Sequence, residues 1–257
     1  MIRIMTSNIW GDYFNNPVES RMENVITYIK TYFPDVVGLQ EITPGWYNSG
    51  LFKHLSTFYE TVEFELNNYT PLLFKKQRYD LIECGWELLS DTPDPSKSIT
   101  WAVLSDKQTG VKFGVCNTHF WWMERNENDD RLREQNAEQL YKKIKYIKDK
   151  YDVTVFSFGD LNCNCENIAI KLLNEQNVEL AYDIAKKKSS TSSYHGNPIL
   201  GTDGKYHGSR TNDDHNKSID HILVYGKDFA INEYVVIEDQ FVLDATDHSP
   251  VYIDIAE

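Results

Sequence analysis

The sequence is short of positive charge, of cysteine and of long apolar runs. Lysine and arginine number 26 against 39 aspartates and glutamates, a formal net charge of −13. Such a field repels polyanions and argues against broad, non-specific nucleic-acid binding, although a local basic patch or bound divalent cations can reverse the sign near a site. The four cysteines, at 84, 116, 163 and 165, include no Cys-x-x-Cys pair, and Cys163-Asn164-Cys165 has no second pair at zinc-finger spacing. Buried or incidental thiols are the expectation. Nothing approaches about 18 consecutive apolar residues, so no membrane-spanning helix is expected. The chain opens Met1-Ile2-Arg3-Ile4-Met5, a strand pattern rather than a charged-then-apolar leader, and a reducing cytoplasm is the default localisation. No internal repeat, linker or low-complexity tract divides the chain, so one domain over residues 1–257 is expected.

What is present is a chain of short apolar runs that stop at polar residues. Strands are expected at about 2–7, 36–40, 60–66, 72–74, 81–89, 99–104, 111–117, 153–158, 219–224, 234–237 and 251–255, each a β-branched or aromatic run bounded by turn residues. Helices are expected at 18–33, at about 50–57, from Asp129-Asp130 through the stripe Ala137, Leu140, Tyr141, Ile144 and Ile147, and at 167–173. Lys142, Lys143, Lys145, Lys148 and Lys150 read as a solvated face of the long helix. Residues 187–217 are rich in Ser, Gly, Asn, Asp and His without periodicity, a loop long enough to be functional.

The central stretch is Phe158-Gly159-Asp160-Leu161-Asn162, where Gly159 would let a buried strand turn and deliver a carboxylate and an amide at the sheet's mouth. Other segments end or begin similarly. They deliver Asn8, Glu41, His119, Asp220 with His221, and Asp247 with His248. In α/β sheets, ligands sit at such strand ends. Carboxylates, amides and histidines without a Cys or Lys nucleophile suit a hard cation such as Mg²⁺ or Mn²⁺, and with histidine as base they suit attack of water on phosphorus. Any one of these pieces also reads as an ordinary polar turn.

The ordered set Ser7-Asn8-Ile9-Trp10, Leu39-Gln40-Glu41, Asn117-Thr118-His119, Gly159-Asp160-Leu161-Asn162, Ile219-Asp220-His221 and Thr246-Asp247-His248-Ser249-Pro250 resembles the endonuclease/exonuclease/phosphatase superfamily. The resemblance implies an α/β fold, a four-layer α/β/β/α sandwich of two packed mixed β-sheets flanked by helices, with a Mg²⁺-dependent phosphoesterase site at one end. It implies Glu41 as the main metal ligand beside Asn8, and Asp247 helping to place metal or nucleophile. Asp160 and Asn162 would align water and hold phosphoryl oxygens. His248, oriented by Asp220, would act as base or charge stabiliser, and His119 would bind a phosphate oxygen or assist the leaving group.

The sequence departs from that pattern in places. Small bacterial members carry Glu-Tyr-x-Pro where this chain has Asn68-Tyr69-Thr70-Pro71, leaving Glu63 or Glu65 as candidate partners for His119. His221 stands where relatives carry an aromatic, as an extra donor or as packing. The Trp-Cys-Asp-Arg signature of inositol phosphatases and the Thr-Lys that follows the metal-binding Glu in AP endonucleases are missing. Trp121-Trp122 would either stack on a base, sugar or head group or cap the sheet. The reading is a phosphodiesterase or nuclease-like hydrolase. A phosphomonoesterase on a small sugar or nucleotide is the alternative, and a binding module that has lost turnover is the rival from another class. A small or single-stranded phosphoester is the expected partner, with duplex nucleic acid disfavoured and a monomer expected.

Overall fold

The structure is a computed structural model describing residues 1–13, 16–62, 68–90, 92–123, 126–210, 213–226 and 228–256. Its elements in chain order are β1 (Ile2–Asn8), α1 (Glu19–Tyr32), β2 (Val36–Gln40), α2 (Pro44–Asn48), α3 (Leu51–Leu55), β3 (Tyr59–Val62), β4 (Leu72–Lys75), β5 (Tyr79–Leu88), β6 (Ser98–Asp106), β7 (Lys112–His119) and α4 (Glu127–Tyr151). There follow β8 (Val155–Asp160), α5 (Ile168–Glu175), β9 (Glu179–Leu180), α6 (Ala181–Ile184), β10 (Lys187–Lys188), β11 (Ile199–Leu200), β12 (Tyr206–His207), β13 (Asp220–Tyr225), β14 (Ala230–Val236), α7 (Gln240–Leu243) and β15 (Val251–Ala256).

The strands form a seven-stranded sheet in the order β10-β14-β15-β1-β2-β4-β3, a six-stranded sheet β5-β6-β7-β8-β13-β9, and the small β11-β12 pair. Both large sheets are mixed. β1 runs parallel to β2 across α1, and β7 runs parallel to β8 across α4. A parallel pair needs a crossover, and here each crossover is a helix that covers the outer face of its own sheet. Val25, Ile26, Tyr28 and Ile29 of α1 pack on Met5, Val37 and Leu39, while Ala137, Leu140, Ile144 and Ile147 of α4 pack on Val103, Cys116 and Val155. Between the sheets lies a third apolar layer that includes Ile4, Phe74, Val115, Phe156, Phe158 and Ile253. The result is the expected four-layer sandwich.

Glycine lets the two central parallel pairs close on each other. A Cβ at Gly38 of β2 would run into the Phe158 ring and the Asn117 amide. Gly159 does not turn the chain as its sequence position suggested. It lies inside β8, paired with Thr118 on one side and His221 on the other, and a Cβ there would collide with the Thr118 carbonyl oxygen. Close approach of the Thr118 carbonyl and a backbone φ of 153° inside the strand are what require glycine here.

Buried amides tie the sheets below the strand ends. Gln40 donates to Asn117 Oδ1 at 2.6 Å, and Asn117 Nδ2 donates to the carbonyls of Leu39, Thr70 and Pro71 at 2.8–3.0 Å. Both side chains are fully buried. The motif residues Gln40 and Asn117 therefore hold the frame. The unpatterned stretch 187–217 contains β10, β11 and β12. Among the described residues, no helix is long and apolar enough to cross a membrane. Removing a buried partner strands the groups it satisfied, so Asn117→Ala should lower unfolding stability by about 3 kcal/mol, read as a lower urea midpoint at unchanged slope.

Candidate active site

Three neighbouring strands of the six-stranded sheet bring His119, Asp160 and Asp220 into one row. β7 ends at His119, parallel β8 ends beside it at Asp160, and antiparallel β13 begins opposite at Asp220. The other sheet faces this row with Asn8, the last residue of β1, and with Glu41, which follows β2. Glu41 has left-handed backbone, φ 60°. Its Oε2 accepts the Gly11 N–H at 2.8 Å and its Oε1 accepts the Asn8 amide at 3.0 Å. The same Asn8 Nδ2 donates to Asp160 Oδ2 at 3.0 Å. One amide thus spaces two carboxylates from opposite sheets.

Asp160 Oδ1 accepts the backbone N–H of Asn162 at 2.9 Å. Asn162 takes a left-handed φ of 50°, and its side chain donates to the Phe120 carbonyl at 3.1 Å. His248 Nδ1 lies 2.8 Å from Asp220 Oδ2, while its Nε2 is 3.8 Å from Asp160 Oδ2 and 4.0 Å from Asp247 Oδ1. Burial opposes charging His248, but the carboxylates of Asp220, Asp247 and Asp160 outweigh it and hold the imidazole well above its ordinary value. Burial pushes Asp247 up to about 7, with Glu41 and Asp160 adding to the push against the pull of His248.

The strand-end reading thus brings all eight candidates, Asn8, Glu41, His119, Asp160, Asn162, Asp220, Asp247 and His248, to one end of the sandwich. The donor set fits a hard divalent cation. Ligand atoms of Glu41, His119 and Asp160 lie within 4.8 Å of one another, and so do those of Asp160, Asp220 and His248. Asp247 Oδ1 is buried and accepts no hydrogen bond from the described residues. Crowded carboxylates with an orphaned oxygen are what Mg²⁺ or Mn²⁺ accommodates. Glu41 and Asp160, with His119 on one side and Asp220 and His248 on the other, are the groups that lie close enough to share such an ion.

Three contributors escaped the sequence reading. Ser193 donates to Asp220 Oδ2 at 2.7 Å and accepts the Ile219 and Asp220 N–H groups. Its segment is stitched to the His248 strand: Ser249 donates to the Ser193 carbonyl at 2.6 Å, and the N–H groups of His195 and Gly196 donate to the Asp247 carbonyl. Arg21, wholly buried in α1, donates to the carbonyls of Ile9, Trp10 and Ala245 at 2.7–2.9 Å and lies over the Trp10 ring. Lys97, just before β6, is buried with its Nζ 2.8 Å from His119 Nε2 and 3.2 Å from Nδ1. None of the three stands in a motif; for Arg21 the available signal is an Arg in line with the apolar positions Val25, Tyr28 and Ile29 of α1.

His119 also stands 3.4 Å from Asp160 Oδ2. Burial first, then Lys97 and His248, push it well below its ordinary value. Glu63 and Glu65, its expected partners, fall outside the described residues. Asn68 is a buried structural link, donating to Thr100 and accepting from Thr70. His221 Nε2 contacts the Cys163 carbonyl at 2.8 Å, which makes it packing. Trp121 is buried with its indole N–H on Asp129, so only the half-exposed Trp122 offers a ring to solvent. On α4, Lys145 and Lys148 pair with Asp149 and Asp152, and Lys143 and Lys150 pair with Glu87 and Glu83, as a solvated face does.

The sequence matches the Endonuclease/Exonuclease/phosphatase family over residues 5–248, and the chain belongs to that family. Enzymes of this family hydrolyse phosphoesters and typically depend on a divalent metal. Comparison with curated proteins gave no match. Among solved structures, an endonuclease/exonuclease/phosphatase family protein from Bacteroides thetaiotaomicron superposes with TM-score 0.79 at 18% identity, covering 99% of this chain and 94% of that one. The mannosyl-6-phosphatase of the same species gives 0.78 at 16% identity with complete coverage of both chains. D. rerio TDP2 complexed with a single-strand DNA product gives 0.72 at 18%, covering 100% and 99%. At these identities the likeness is one of fold.

A carboxyl whose folded pKa is raised stabilises the fold below its unfolded pKa and loses that contribution as pH rises through the folded value. In metal-free protein, Asp247 should therefore erode stability between its ordinary 3.8 and about 7. With EDTA present, Asp247→Asn should melt higher than wild type at pH 8, and the two melting curves should converge near pH 4.

Proposed function

We propose that the chain is a divalent-metal-dependent phosphoric ester hydrolase, one domain over residues 1–257, that cleaves a phosphodiester in a small or single-stranded substrate. The observation that carries this reading is the convergence of Glu41 and His119 on Asp160, and of Asp160 with the hydrogen-bonded Asp220–His248 pair, at one end of the two sheets. Glu41, Asp160 and Asp247 would hold the cation, which would supply Lewis-acid activation of the phosphoryl group and of water. Asn8 keeps the carboxylates apart and in place. Asp160 Oδ2 and the second amide hydrogen of Asn162 orient the nucleophile and a phosphoryl oxygen. Asp220 fixes the His248 tautomer with Nδ1–H toward itself, so that Nε2 faces the reaction and handles the proton or the developing charge.

Phosphomonoester hydrolysis is the second reading, favoured by the complete mutual coverage with the mannosyl-6-phosphatase. The net charge of −13 and the paired lysines of α4 count against tracking a duplex.

Glu41→Gln and chelation with EDTA should each abolish nearly all hydrolysis of bis-p-nitrophenyl phosphate in Mn²⁺, and supercoiled plasmid should be nicked poorly. Full turnover in EDTA would end the reading; rapid nicking that falls steeply with salt would end the substrate assignment. If the dyad acts as a unit, His248→Ala and Asp220→Asn should each cost roughly 10²–10⁴-fold in kcat, and the double variant should be little worse than the worse single. A pair that only supports the fold would instead lower Tm and leave turnover per folded molecule intact.

A further inference from the structure

Lys97 has a place in the site that its sequence position does not announce. It follows the turn-rich segment after β5. Its backbone is fixed there by its own N–H donating to the Asp94 carbonyl at 3.2 Å and its carbonyl accepting the Leu89 N–H at 2.9 Å. The side chain is 3% exposed. A buried ammonium is expensive unless its surroundings use it. Burial lowers its pKa, and the carboxylates of Glu41, Asp160 and Asp94 oppose that fall without cancelling it.

The contact with His119 has a direction. An ammonium carries three donors and no acceptor, and a neutral imidazole carries one acceptor nitrogen. Lys97 Nζ sits 2.8 Å from His119 Nε2 and 3.2 Å from Nδ1, so whichever ring nitrogen lacks a proton accepts from the ammonium. His119 Nε2 is also the nitrogen that faces Asp160 Oδ2 at 3.4 Å. The acceptor nitrogen of His119 is thereby occupied by lysine. Among the described residues the ammonium hydrogen-bonds only His119, so donors remain on a cation next to the reacting position.

We propose that Lys97 is a catalytic residue: its ammonium donates to a non-bridging phosphoryl oxygen of the bound ester, and His119 is the positioning residue that holds it there by accepting one of its hydrogens. This deepens the phosphoesterase reading and rests on it. A fixed ammonium on the phosphoryl group stabilises charge that grows in the transition state, in a site already closed to water. The bland competitor is a structural counter-ion that merely neutralises Glu41 and Asp160 until metal binds. The two roles differ in what they do to ligands. A counter-ion competes with metal and is indifferent to phosphate, whereas a phosphoryl donor binds phosphate.

The test is calorimetric binding of inorganic phosphate in saturating Mg²⁺, with Mn²⁺ affinity measured separately by electron paramagnetic resonance in the absence of phosphate. Lys97→Met should weaken phosphate at least about tenfold, the loss of one charge-assisted hydrogen bond, while Mn²⁺ binds no more weakly. Lys97→Arg should stay within about threefold of wild type, and His119→Gln should weaken phosphate less than Lys97→Met. Hydrolysis of bis-p-nitrophenyl phosphate by Lys97→Met should fall mainly in kcat. Should Lys97→Met not fold, Lys97→Gln takes its place with the same expectation. A folded variant with wild-type phosphate affinity overturns the proposal, as does a greater loss in His119→Gln, which would return the donor role to the imidazole. A wild-type protein that neither binds phosphate with metal nor hydrolyses any phosphoester would instead overturn the phosphoesterase reading itself.

Discussion

One amide side chain joins the two sheets at the point where their charges meet. Asn8 Nδ2 reaches Glu41 in its own sheet and Asp160 in the other, 3.0 Å to each. Like-charged carboxylates drawn together out of water repel one another, and without a shared donor each would turn toward solvent or take up a proton. The geometry that follows depends on that donor. Asp160 sits in register between His119 and Asp220, so fixing Asp160 against Asn8 sets where both neighbouring side chains stand relative to the first sheet. The Gln40–Asn117 bond repeats the same device one layer deeper, between uncharged partners.

The frame was largely legible because strand ends are chemically loud. Apolar runs that stop at Asn8, Glu41, His119 and Asp160 report both where a strand ends and what it delivers, and the ordered motifs then specify which strands lie side by side. What could not be read was anything resting on approach between distant segments. Gly159 looks like a hinge in one dimension and becomes a close-contact residue only when Thr118 lies alongside it. Gln40 and Asn117 look like flanks of catalytic residues, and their role needs both sheets present. Lys97 sits in a Pro- and Ser-rich turn whose composition announces only a loop. Ser193 lies in a stretch with no periodicity, and its importance comes from pairing with the segment after Thr246. Of the strand expected near 60–66, residues 60–62 lie in β3 and the rest falls outside the described residues.

Positive charge is scarce, and two buried cations, Arg21 and Lys97, serve backbone carbonyls and the site. Arg21 is the clearest case. Its guanidinium reaches the loop after β1 through Ile9 and Trp10 and the loop before His248 through Ala245, so one buried cation fixes the backbone on both sides of the candidate centre. Burial pulls its pKa down to about 10, and nearby Tyr206, Asp247 and Glu41 support its charge, which leaves it a cation at neutral pH. The strained left-handed turns at Trp10 and Glu41 lie within this clamp, and the fixed carbonyls around them are what over-determines such a conformation.

The order of strands in the larger sheet sets when the molecule becomes competent. β1, the first strand synthesised, lies between β2 and the last, β15, with Ile2 opposite Ile255. Asn8 and His248 therefore come from opposite ends of the chain. A nascent polypeptide can build the six-stranded sheet and both helical crossovers, yet the seven-stranded sheet keeps an open seam beside β1 until β15 arrives. Until then Asp220 lacks its His248 partner and β1 presents an unpaired edge. Placement of His248 beside Asp220 and closure of that edge therefore depend on one and the same segment of chain.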